Sequence, residues 1–242
     1  MSILLIPIAP LHKSKSRLQN CLSREQIEEL TIAMFKDLGN ILLKVDCFSE
    51  KIVYCESPEI LEIASDYNLV GIKEETQKTP IPFDHVITNM NKIIMNKYDA
   101  EATVISFLDL ILISAKNFYE INSLVETNQM VVCPTIKSAG ISVLGRRPPE
   151  IISSCFSSPD DPSLIALFQK ARESGIKDIS IYDSFRASFD VDIQEDLILG
   201  YEYLKIFNLT HTKTFKFLKN NLKFSLQKAN MNNNREFRII NE

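Results

Sequence analysis

The chain has 242 residues, of which 45% are hydrophobic and 24% charged, with a formal net charge of −4. That length and apolar share suffice for a full core, and the acidic balance gives no electrostatic reason to expect nucleic acid along the chain. The longest apolar run, residues 104–113, is broken by Asp109 and too short to span a bilayer, and the Met1 start lacks the charged-then-apolar order of a secretory signal, so a cytoplasmic protein is expected.

In chain order, residues 3–8 predict a first strand. Residues 23–43 predict a helix, opened by a Ser-x-x-Gln capping box and carrying Ile27, Leu30, Met34, Leu38 and Leu42 at helical spacing. A strand at 51–55, a short helix at 58–67 and a strand at 69–72 follow, then a helix at 82–96. Residues 102–107 predict a central strand running into Asp109, with a helix at 115–127 after it. Strands at 130–133, 140–145 and 179–181, and a helix at 163–174, complete the set. This alternation is the pattern of βαβ crossovers, so the fold class expected is α/β: a single domain with a mostly parallel sheet flanked by helices, over residues 1–208. Residues 182–192 alternate like a strand and Gln194-Glu195-Asp196-Leu197 reads as an acidic first helical turn. Residues 209–242 differ in character. Lys213, Lys216, Lys219, Lys223 and Lys228 interleave with Phe215, Leu218, Leu222 and other apolar residues. They predict a basic amphipathic C-terminal helix, packed on the body, on a dimer partner, or against membrane or nucleic acid. A disordered end is expected from Met231.

Five cysteines (Cys21, Cys47, Cys55, Cys133, Cys155) are odd in number and lack any Cys-x-x-Cys pair, which argues against a disulfide framework and a zinc site. Reduced, mostly buried thiols are expected. His12, His85 and His211 are too scattered for a triad or metal cluster. Neither a Walker loop nor a dinucleotide-binding glycine fingerprint is present.

Three places carry candidate chemistry. In the loop after the first strand, Lys13, Lys15 and Arg17 alternate, so an extended loop would point them together toward phosphates at the ligand-binding edge of a sheet, or leave them solvated. Asp109 ends a buried strand, where it could share a divalent cation with Asp190 and Asp192, two carboxylates expected near another strand's C-terminal end, or merely cap the next segment. Third, Gly140 is the one glycine in the loop of residues 134–144.

Ile6-Pro7-Ile8 with Lys15-Ser16-Arg17-Leu18, Leu108-Asp109-Leu110, and Asp190-Val191-Asp192-Ile193-Gln194-Glu195-Asp196-Leu197 together resemble the archaeal 2-phospho-L-lactate guanylyltransferases, MobA-like nucleotidyltransferases that serve coenzyme F-420 biosynthesis. The resemblance covers about residues 3–205. It implies a Rossmann-like fold of the nucleotide-diphospho-sugar transferase type. It also implies attack by the phosphate of 2-phospho-L-lactate or phosphoenolpyruvate on the α-phosphorus of GTP, with release of pyrophosphate. By the same resemblance, Asp109, Asp190 and Asp192 would hold Mg²⁺, Lys15, Arg17 and Asp109 would be catalytic, and Pro7, Lys15, Arg17, Gly140 and Ser142 would bind the nucleotide. Ser163 would bind the acid substrate or a metal, and a homodimer is expected, without nucleic acid or membrane as partner.

The chain departs from the family pattern at several positions. The family's first-loop lysine falls at Ala9, its proline after the metal aspartate at Ile111, and its Gly-Gly-Thr-Asn at Ala139-Gly140-Ile141-Ser142. Its base-recognising Leu-Asn falls at Phe83-Asp84, and a histidine falls at Leu167. A working guanylyltransferase, a relative with a changed nucleotide or acceptor, and a nucleotide-binding or regulatory partner without turnover are the readings this pattern leaves.

Overall fold

The computed structural model describes residues 1–75, 79, 81–230 and 233–241. The run SILLIPI forms β1 (Ser2–Ile8), buried at every position, as a near-continuous apolar run must be when both faces of its sheet are covered. It pairs in parallel with β2 (Glu50–Cys55) on one side and β4 (Ala102–Ser106) on the other. β3 (Val70–Lys73) extends the sheet beyond β2. Beyond β4 lie β6 (Ile141–Arg146), β5 (Met130–Pro134) and β7 (Ile179–Ile181), giving seven strands in the order β3-β2-β1-β4-β6-β5-β7. Only β6 runs against its neighbours, because a short turn returns the chain from β5 beside it. The mostly parallel α/β sheet expected from the sequence is the one observed.

Strand alternation divides the core between two layers. Leu4, Ile6 and Ile8 share one cluster with Phe35 of α1 (Arg24–Leu42), Ile60 of α2 (Pro58–Ser65) and Phe118 of α4 (Ala115–Thr127). Ile3 and Leu5 pack on the other face with Ile87 and Met90 of α3 (Phe83–Lys97) and Leu167 of α5 (Ser163–Glu173). The Ser23 capping box is present, with its hydroxyl accepting from the Gln26 amide.

Two sequence expectations are corrected. Residues 182–192 do not form a strand. β7 stops at Ile181, and Ser184 caps a one-turn helix, α6 (Phe185–Ser188), before an extended segment leads into α7 (Gln194–Ile206). The pattern there has a helical reading as well, since Phe185 and Phe189 are four apart and stack with centroids 6.3 Å apart. The basic C-terminal helix is also shorter than its lysine spacing predicts. α8 (Lys213–Asn221) ends at Leu222, after which the apolar period changes from helical to alternating and β8 (Phe224–Asn230) begins. β8 pairs antiparallel with β9 (Asn233–Asn241) in a separate two-stranded ribbon. Of the disordered end expected from Met231, Met231, Asn232 and Glu242 lie outside the described residues, and Asn233–Asn241 is strand.

Residue 208 is no boundary of packing. Phe215, Phe217 and Leu218 of α8 are buried in a third cluster with Leu18, Leu30 and Leu204, and Asp37 of α1 accepts from the amides of Lys213 and Thr214 at 2.9 and 2.7 Å. A nine-residue helix is unstable alone, and roughly 1.5–3 kcal/mol for each fully buried side chain offsets that. All five cysteines are free. Among the described residues no helix is long and apolar enough to cross a membrane.

Candidate active site

β1 is the strand from which the sheet grows both ways, toward β2 and toward β4. The crevice beyond the carboxyl ends of β1 and β4 is therefore a topological switch point, where open α/β sheets bind ligands. The loop leaving β1 and the turn leaving β4 face each other there.

The loop is not extended. It forms two 3-10 turns, Leu11–Lys13 and Ser16–Asn20, joined through Lys15, which is left-handed at φ 49°, ψ 41°. A non-glycine residue there costs about 1–3 kcal/mol and persists only where its surroundings hold it. The buried Ser14 does so, with its hydroxyl donating to the Leu11 carbonyl at 3.0 Å and its own carbonyl accepting from Arg24 at 2.9 Å. The consequence is that Lys15 turns inward. Its ammonium donates to Asp109 Oδ2 at 2.5 Å, Asp192 Oδ1 at 2.8 Å and the Val191 carbonyl at 2.6 Å. Burial works against its charge, but the two carboxylates outweigh burial and raise its pKa. Arg17 remains mostly exposed, with Nη1 3.8 Å from Asp192. Lys13 does not join them at the cleft, because the 3-10 turns break the alternation that an extended loop would have kept.

Asp109 is not a helix cap. Ser114 opens α4 through its own capping box with Asn117, and the Asp109 side chain goes to Lys15. Its carbonyl accepts from the Val191 amide at 3.2 Å, so the turn after β4 is bonded directly to the segment carrying Asp190 and Asp192. Those two aspartates thus reach the sheet edge without lying on a strand. Burial first, then the charges of Asp109 and Asp192, push the Asp190 carboxyl from 3.8 up to about 7.

The cleft has two chambers, of about 350 and 270 Å³, one just inside and one just below the roughly 300–1,000 Å³ usual for ligand sites. Arg17, Phe107, Asp109 and Asp192 belong to both. Pro7, Ala9, Lys15 and Phe83 line the first, and Thr135, Ser138, Gly140, Ser142, Ser163 and Asp190 the second. Every site residue that the family resemblance implied therefore stands at one cleft, and of the three loop cations only Lys13 does not. Ser142 is the exception in kind, since its buried hydroxyl donates to the Cys133 carbonyl at 3.0 Å and serves the sheet. A larger depression of about 690 Å³ beside α4 and β7 holds none of the acidic set.

Three features escaped sequence reasoning. Phe83, Phe107 and Phe156 form an aromatic wall, with centroids 5.2–6.1 Å apart. Asp84 turns from the cleft and accepts from the amides of Phe156 and Ser157, both at 2.8 Å. Lys137 pairs with the buried Asp196, and only the lone lysine in a loop already singled out could have signalled it.

The donor set suits a hard divalent cation. It is all oxygen, and three carboxylates share the region with one buried ammonium. Among the described residues no group of three His, Cys, Asp or Glu forms a metal cage. Mg²⁺ does not need one, because it binds through one or two carboxylates and completes its shell with water and phosphate oxygens.

A family described as "Guanylyl transferase CofC like" matches residues 1–240. The chain is 27% identical over 195 residues to a 2-phospho-L-lactate guanylyltransferase of Methanocaldococcus vulcanius, covering 81% of this chain and 82% of that one. It is 28% identical to the protein of that name from Methanosphaera stadtmanae, covering 81% of each. In fold it is similar to a nucleotidyl transferase from Methanothermobacter thermautotrophicus, with a TM-score of 0.58, 14% identity, and 91% of this chain and 99% of that one covered. By the match along almost its whole length, the chain belongs to the CofC-like guanylyl transferase family and is a nucleotidyltransferase.

Proposed function

We propose that the protein transfers a guanylyl group from GTP to the phosphate of a phosphorylated three-carbon acid, 2-phospho-L-lactate or phosphoenolpyruvate, releasing pyrophosphate, as a cytoplasmic homodimeric enzyme of coenzyme F-420 biosynthesis. The observation that carries this reading is the meeting of Lys15, Arg17, Asp109, Asp190 and Asp192 between two chambers, one for each reactant. In-line displacement at phosphorus asks for little covalent help. It needs two anions held together and the charge on the phosphoryl oxygens neutralised.

The residues divide that work. Lys15 places an ammonium in the first chamber against Asp109 and Asp192, which border both, and Arg17, mostly exposed, can take phosphate oxygens in a bidentate grip. Asp109, Asp190 and Asp192 would hold Mg²⁺, which when bound neutralises the triphosphate and orients its α-phosphorus. Ser163, at the first turn of α5, presents a hydroxyl and a helix N-terminus to the second chamber, which suits a carboxylate or phosphate of the acid. Phe83 and Phe107 give the first chamber an apolar wall for a base.

The test is pyrophosphate release with Mg²⁺, offering GTP, ATP, CTP and UTP against each acid. Release with GTP and either acid is expected, and silence from folded protein across the panel sinks the reading. One observation favours a second reading, a changed base: the Asp84 carboxylate is occupied by two backbone amides and does not face the first chamber. Release with a nucleotide other than GTP would select it.

A further inference from the structure

Asp192 and Asp190 sit on a segment that no strand holds, yet their placement decides whether the acidic set meets. Two links fix that segment from the far side. The buried Asp196 accepts through Oδ2 from the amides of Asp192 and Ile193, at 2.9 and 3.0 Å. Its Oδ1 accepts from Lys137, whose side chain is 36% exposed against 5% for Asp196. Lys137 lies in the turn between β5 and β6, which is tied to the walls of the second chamber at two further points. The Ile136 amide donates to the Ser188 carbonyl at 3.0 Å, two residues before Asp190, and the Leu164 amide, beside Ser163, donates to the Ala139 carbonyl at 3.0 Å. Thr135 and Gly140 close the turn at 3.2 Å. The turn thus grips the acidic segment ahead of Asp190 and behind Asp192, and grips the Ser163 wall as well.

From this geometry we infer that Asp196 and Lys137 are positioning residues: their ion pair latches the 135–140 turn to the backbone of Asp192, so that the carboxylates and the acid-binding wall are set together. The charge matters for a physical reason. The Lys137 ammonium gives Asp196 a charge-assisted hydrogen bond on the oxygen that the two amides leave open, and in a largely buried setting such a bond is stronger than a neutral one. A partner supplied by the turn makes the order of one wall depend on the other. The inference rests on the proposed reaction only for its catalytic meaning; the latch itself is a property of the protein without ligands.

The test compares Lys137→Met, Asp196→Asn, their double variant and Lys137→Arg. Asp196→Asn keeps an oxygen for the two amides and removes the charge, so it separates the latch from helix capping. Mn²⁺ alone is the probe of the carboxylates. Groups that orient metal ligands are worth about 10–100-fold in affinity, so each single variant is expected to bind Mn²⁺ about 10-fold more weakly. The double variant should lose no more than the weaker single, as for two halves of one link. Lys137→Arg should restore affinity to within about twofold, since it keeps the charge. In metal-free protein, the amides of Asp192 and Ile193 should exchange about 10-fold faster in Lys137→Met. Unchanged exchange, or Mn²⁺ affinity equal to wild type in both single variants despite a lowered Tm, overturns the latch. Should the wild type bind no Mn²⁺, exchange alone decides. Pyrophosphate release by the wild type separately judges the reaction, so the two ideas fail by different results.

Discussion

Asp109 and the pair Asp190 and Asp192, proposed to share one cation, are placed by different means. Asp109 leaves the end of β4, a central strand buried at every position, and its place follows from the sheet. Asp190 and Asp192 stand on a segment between two helices, held by the Val191 amide on Asp109, by Lys15 and by Asp196. The difference teaches that one half of an acidic site can be inherited from a strand while the other is assembled from side-chain ties. Damage should therefore act in distinct ways: at Asp109 on chemistry and on the Lys15 ion pair, with the backbone held by the sheet, and at the other pair on the placement of the segment as well.

The largest effect is expected from Asp109→Ala, which should lower turnover by roughly 10³-fold and stability by about 1 kcal/mol, since Lys15 keeps only Asp192 and the Val191 carbonyl as partners, read by pyrophosphate release and denaturant titration. Activity within threefold of wild type would end the comparison, since the strand-borne carboxylate would then be idle. Next is Lys15→Met. It removes the one buried cation from among the carboxylates, and a fall of about 10²-fold in turnover is expected, together with a loss of order about 1–3 kcal/mol in stability because Asp109 is left without its partner. A fully stable variant would show that the carboxylates do not depend on Lys15 in the free protein.

Asp190→Asn should move activity and stability in opposite directions. The carboxyl is raised from 3.8 to about 7, so the proton is held more tightly in the folded state. The stability it lends is complete below pH 4 and is lost as the pH rises through about 7. The variant, neutral throughout, should match wild type at acid pH and exceed it by about 1 kcal/mol above pH 7, while turnover falls by about 10-fold or more. Denaturant titrations at pH 4 and pH 8 check the sign, and a gap that narrows with rising pH would contradict it. The smallest effect belongs to Arg17→Lys. Its side chain is mostly exposed and bound to little, so exchanging a fork for a point charge should raise the KM for nucleotide about 3- to 10-fold and leave kcat alone. An equal fall in kcat would place Arg17 at the transition state and not at binding.

Much of this was legible in the sequence. Strands such as SILLIPI and the helix with Ile27, Leu30, Met34 and Leu38 announce themselves because burial on one face imposes a period on nearby residues. The family motifs located Lys15, Arg17, Asp109, Asp190 and Asp192, and the sheet edge gathers all five. Where reading failed, two periods competed over a short span. Residues 182–192 fit both alternation and a turn of helix, and the lysines keep helical spacing through Lys223, two residues beyond the end of α8 and next to the point where Phe224 and Leu226 begin to alternate. What only the tertiary structure decided are ties between distant positions: Lys15 to Asp109 and Asp192, 94 and 177 residues away, and Lys137 to Asp196, 59 away. A charged side chain takes the partner that the topology brings within reach, and nothing local to Lys15 or Lys137 names that partner. Local spacing therefore set the elements and the candidate ligands, while the order of strands about β1 determined which of them meet.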